Sequence, residues 1–81
     1  MKSNGEIKTT DFYQSAILKT LGLELLRLEK VNEKQFLFVF NDSKNEVEEI
    51  LNKYWRREIT LNARDLIDNI RDLKTRMYQK I

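Results

Sequence analysis

Lys53, Tyr54, Trp55, Arg56 and Arg57 stand side by side in the stretch NKYWRREI, and Arg64 follows a short way on. Rings beside cations are what single-stranded nucleic acid asks of a protein: flat faces for bases and positive charge for phosphates. Trp, Tyr and Arg are equally the residues that anchor protein interfaces. A second group, Asp65, Asp68 and Asp72, offers paired carboxylates, the raw material of acid–base or metal chemistry. Arg64 and Arg71 are interleaved with them, which is the pattern of a solvated, ion-paired helix face. The chain has no histidine and no cysteine. It therefore lacks Cys/His zinc ligands, thiol nucleophiles and an imidazole to activate a serine. No glycine-rich loop is present to cradle phosphate. The expectation is a protein without catalytic residues, cofactor or metal, hence not an enzyme.

The 81 residues are enough for one small domain. Fifteen basic and 13 acidic side chains give a net charge of +2. Nearly every Lys or Arg has an acidic neighbour within a turn, so the charge argues only weakly for a polyanionic partner. The opening MKSNGEIKTTD lacks the apolar core of a signal peptide, and no apolar run approaches the ~18 residues of a membrane span. The expectation is a cytoplasmic protein with no membrane contact.

The elements that must position these residues follow from hydrophobic period. Residues 1–8 are polar and aperiodic and read as a flexible tail, with a single domain over 9–81. TTDFYQSAILKTLG reads as a helix with Asp11 and Gln14 at capping-box spacing and Gly22 at its end. LELLRLEK and KQFLFVF read as the arms of a β-hairpin turning about Asn32. NDSKNEVEEILNKYWRR reads as a second helix spanning about Lys44 to Arg56. Val47, Ile50, Leu51, Tyr54 and Trp55 form its apolar stripe, Trp55 at the edge, while Arg56 points away. EITL, residues 58–61, is extended and a candidate third strand. NARDLIDNIRDLKTRMYQKI reads as the last helix, with Asn62 as cap and Ala63, Leu66, Ile67, Ile70, Leu73 and Met77 inward. The class is α+β, a hairpin packed with three helices in the order α-β-β-α-(β)-α.

TTDFYQSAILKTLG, FLFVFND, ILNKYW and LNARDLIDNIRDLKTRMY together resemble a family of small bacterial, archaeal and phage domains of unknown function. The likeness spans roughly Thr9 to Tyr78. Its most specific parts are the Asp-Phe-Tyr helix opening, the Tyr-Trp pair and the Asn-Ala-Arg start of the last helix. The resemblance implies a small α+β domain, often in a phage or mobile-element setting, where accessory and regulatory roles are common. In that family the aromatic pair is usually followed by Asn-Gly; here Arg56-Arg57 stand in its place, without the helix-ending glycine.

Two binding readings remain. Phe36 to Phe40 are five apolar residues in a row, and a strand sends alternate side chains to opposite faces. Both faces then need cover, which three short helices or a second copy can supply. The chosen reading is an accessory or regulatory binding module that self-associates as a homodimer, or meets another protein, through Phe36, Phe38, Phe40, Tyr54 and Trp55. The alternative is nucleic-acid binding through Lys53, Arg56, Arg57 and Arg64, with a ring from Tyr54, Trp55 or Tyr78. Structural duties weigh against that alternative, because the rings lie on apolar stripes and the cations oppose a helix dipole.

Overall fold

The alternation of QFLFVFN produces the central strand. A computed structural model describes residues 5–80. In these, β1 spans Glu6–Thr9, α1 Phe12–Thr20, β2 Leu25–Asn32, β3 Gln35–Asn41, α2 Val47–Trp55 and α3 Ala63–Lys80. The three strands form an antiparallel sheet of order β1-β3-β2. The α+β class, the hairpin and the three helices are as the sequence predicts.

The third strand differs from expectation. It is not residues 58–61, which have no regular structure, but Glu6–Thr9, from the segment read as a tail. Residues 1–4 of that segment lie outside the described residues. β1 pairs Ile7 with Phe40 and Thr9 with Phe38, and Ile7 packs against the core. One inward isoleucine is enough, because the ladder to β3 supplies the backbone partners of a strand this short. With β1 on one side of β3 and β2 on the other, β3 has no free edge for 58–61.

Phe36, Phe38 and Phe40 turn toward the helices, where they are at most 6% exposed. Ala16, Leu18, Leu23, Leu28, Val47 and Leu73 complete that buried cluster, flanked by Phe12, Leu51, Leu66, Ile70 and Met77. Val39 faces the other way yet is fully buried. Its cross-strand neighbours are Lys8 and Arg27. The Arg27 guanidinium reaches over β3 to Glu6 at 3.4 Å and bonds Glu29 at 2.8 Å. The aliphatic stem of such a side chain covers apolar surface while its head stays in water. The second layer of cover is thus a sheet of ion-paired side chains, and one chain meets the need that suggested a homodimer. The three phenylalanines are core rather than candidate interface.

Local chemistry sets the helix ends. The Asp11 carboxylate accepts from Gln14 N–H at 2.9 Å, while Asp11's own N–H donates to Thr9 Oγ1 at 3.1 Å, so Thr9 takes the reciprocal role proposed for Gln14. Gly22, at φ 102°, closes α1 with Gly22 N–H to Lys19 O and Leu23 N–H to Leu18 O, both 3.1 Å. Those two bonds are a Schellman end, and Leu23 and Leu18 are both buried as its apolar contact requires. In α2 regular helix begins at Val47, later than the expected Lys44, because Asn45 is left-handed at φ 56°. Asp42 nevertheless caps it: one carboxylate oxygen accepts from Glu46 and Val47 N–H at 2.7 and 3.2 Å. Asn62 caps α3 through Asp65 N–H at 2.9 Å. Leu73 is buried on α3, but Ala63 and Ile67, expected inward, are exposed.

Candidate functional site

Tyr54 and Trp55 are the last two residues of α2. A helix held to a core by Val47, Ile50 and Leu51 brings Tyr54 half inside. Trp55, at the stripe's edge and the helix's end, overhangs it. Trp55 is 69% exposed, so it is a surface ring and not the buried edge expected. Tyr54 supports it edge-to-face, with centroids 5.1 Å apart and planes at 71°.

The chain then reverses. Arg57 N–H donates to Tyr54 O at 3.0 Å and Glu58 N–H to Lys53 O at 2.9 Å, the same Schellman pair that Gly22 makes in α1. The position demands a left-handed residue, and Arg57 takes it at φ 61°. That conformation costs a residue with a Cβ about 1–2 kcal/mol. The reversal that Gly22 makes in α1 is thus made here by a residue that carries a cationic side chain.

The four cations named for nucleic-acid contact do not form a free positive patch. Lys53 pairs with Glu49 at 3.7 Å, Arg56 with Glu58 at 3.2 Å and Arg64 with Asp68 at 3.7 Å. Arg57 is exposed, and its side chain makes no ion pair among the described residues. Lys53, Arg56 and Arg57 share the end of α2, whereas Arg64 starts α3 across the connection 58–62. Tyr78, the third candidate ring, is 76% exposed near the far end of α3.

Beside the tip runs an open groove of about 510 Å³. Leu21, Ile50 and Ile59 lend it apolar surface; Glu46, Glu49, Glu58 and Lys53 line it too, Glu49 paired with Lys53 and Glu58 with Arg56. Sequence pattern does not point to it, because Ile59 falls in the stretch 58–61 that reads as a strand. Its signal was an apolar residue just before Gly22, where a helix face runs out.

Asp68 and Asp72 serve as ion-pair partners, Asp72 bridging to Lys19 at 3.5 Å and Arg76 at 3.0 Å. Among the described residues no cluster of three or more His, Cys, Asp or Glu is placed to hold a metal. None of their helices is long and apolar enough to cross a membrane.

No curated protein matches the chain, and no solved structure does. The Asp11 cap, the Tyr-Trp tip and the Asn62 cap are the places where the sequence resembled a family, and a family match runs through all three, over residues 4–79. The chain belongs to the family of the domain of unknown function DUF5659.

Proposed function

We propose that this protein is a non-catalytic accessory or regulatory module that binds another protein through the tip of α2. The observation that carries this reading is Trp55, a large ring 69% exposed at the end of α2. Holding it there costs the chain free energy, since apolar surface is left in water. The adjoining groove, apolar inside and rimmed by Lys53 and three glutamates, of which Glu46 makes no ion pair among the described residues, suits a peptide segment with apolar side chains and a basic one. Phage or mobile-element carriage, implied by the family resemblance, fits a small inhibitor or regulator of a larger protein. Nucleic-acid binding is the second reading, favoured by Arg57, a cation without an ion pair among the described residues, close to an exposed ring.

The test is a photo-crosslinking amino acid in place of Trp55, with a control at Lys8 on the sheet face. A discrete protein adduct in the native cell, formed at position 55 and not at 8, is expected. A nucleic-acid adduct would transfer the tip to the second reading, and no adduct at all would end both. The chain's single tryptophan offers an independent check. Quenching by a thymidine oligonucleotide that weakens steeply with salt would support phosphate contact.

A further inference from the structure

We propose that the outer side of α3 is a docking surface for an acidic amphipathic helix of a protein partner. Ile67, Arg71, Lys74 and Tyr78 recur at alternating four- and three-residue spacing and are all exposed. On an α-helix this spacing aligns side chains along one seam, the geometry by which one helix receives another. The inner side of α3 is occupied elsewhere: Leu73 enters the core, and Asn69 and Asp72 bond Thr20 and Lys19 of α1. Among the described residues no hydrogen bond or ion pair ties the side chains of the seam to another element. Ile67 is 44% and Tyr78 76% exposed.

Charge fixes the occupant. Arg71 and Lys74, at the middle of the seam, make no side-chain ion pair among the described residues, although neighbouring Asp68 and Asp72 are paired with Arg64, Lys19 and Arg76. A second copy docking by the same seam would set these cations against their own kind. A partner helix with apolar residues at the ends of its seam and carboxylates at the centre matches it instead. Next to Lys74 lies a notch of about 270 Å³ lined by Phe36, Met77 and Tyr78. It accepts an apolar side chain whose neighbouring carboxylate meets the lysine. A phosphate backbone suits the seam less well, because it offers nothing apolar to Ile67 or to the notch beside Tyr78.

This inference rests on the reading of the chain as a protein-binding module but uses a surface other than the α2 tip. The probe is a labelled synthetic helical peptide of about two heptads, with leucine at the ends of its seam and glutamate at the seam's centre. Titrated into ¹⁵N-labelled protein, it should saturate and shift the amides of Ile67, Arg71, Lys74 and Tyr78. The double variant Arg71→Glu, Lys74→Glu should weaken binding at least about tenfold. Trp55→Ala should bind as wild type does, which separates this surface from the tip. Should the double variant fail to fold, Tyr78→Ala must weaken the peptide instead. The proposal is overturned if the peptide does not saturate, or if a lysine-for-glutamate version binds equally well. It is equally overturned if the charge reversals leave affinity unchanged, or if a thymidine oligonucleotide binds the seam in the peptide's place.

Discussion

Arg57 occupies a backbone position that glycine holds at less cost. Arg57→Gly should raise stability by about 1 kcal/mol through relief of the left-handed strain. A urea midpoint shifted upward at constant slope would show it; a downward shift would mean that the side chain contributes more than the strain removes. At Trp55 the ring is mostly in water, so Trp55→Ala should cost less than about 1 kcal/mol, against about 3–5 for Phe38→Ala in the core. Counting ~100° per residue located Trp55 at the stripe's edge correctly, but it could not reveal that the helix stops there. A ring on the final turn has no further helix to shelter it. Arg57's conformation was equally hidden, since its residue type gives no hint of a positive φ. On the sheet face, the Arg27 hydrogen bond holds the Glu29 carboxyl below its ordinary range, burial opposes this, and the arginine's charge adds to it. Glu29 raises Arg27 in return, with Glu6 second. A lowered folded-state value means stability present above the unfolded glutamate pKa and lost as pH falls through the folded one. Titrating the Glu29 carboxyl by NMR should give a midpoint below that of an unpaired glutamate, moving back up in Arg27→Ala. A midpoint that does not move would assign the shift to something else.

Single side chains hold the helix ends, so cap variants should act on whole elements. Asp42 accepts from two N–H groups at the start of α2, while its own N–H donates to Gly5 O at 2.6 Å beside β1. Asp42→Ala should therefore cost about 1–2 kcal/mol, at the upper end for a cap. Amide exchange should quicken at Val47 and around Gly5 together; a change confined to α2 would deny the link to β1. Periodicity and cap chemistry made most elements legible. Asp11, Gly22 and Asn62 mark their helix ends in plain residue types, and Phe36, Phe38 and Phe40 announce a strand. β1 was not legible, because EIKT carries one apolar residue and its pairing depends on an edge of β3 some thirty residues away in sequence. Residues 58–61 misled for the opposite reason. Ile59 and Leu61 alternate like a strand, yet both are half-buried in a connection whose backbone first closes α2.

At the scale of the molecule, the arrangement is two layers, helices over a three-stranded sheet whose other face carries charge. The case for a homodimer began with apolar side chains projecting to both faces of β3. Phe36, Phe38 and Phe40 are covered by helices, and Val39 is buried between Lys8 and the Arg27 bridge to Glu6. Leu37 alone is half-buried, opposite Glu29. Sheet edges are the other route to self-pairing. β1 has four residues, too few for an extended ladder. β2 is longer, but its register is broken between Leu25 and Arg27 and again between Lys30 and Asn32. Bulges and charged side chains are the usual devices that keep an edge from pairing. The α3 seam places Arg71 and Lys74 where an identical copy would oppose them. Light scattering should accordingly give a mass near 9.8 kDa at ~100 µM, well above the dissociation constant of a specific dimer. A mass of twice that value would restore a second copy. Trp55→Ala would then be the variant to try first, because Trp55 is the largest of the exposed rings among the described residues, ahead of Tyr13 and Tyr78, and Tyr78 lies on the cationic seam that like charge disfavours. A dimer surviving Trp55→Ala but lost at high salt would place the contact on charged surface and overturn this account of the sheet.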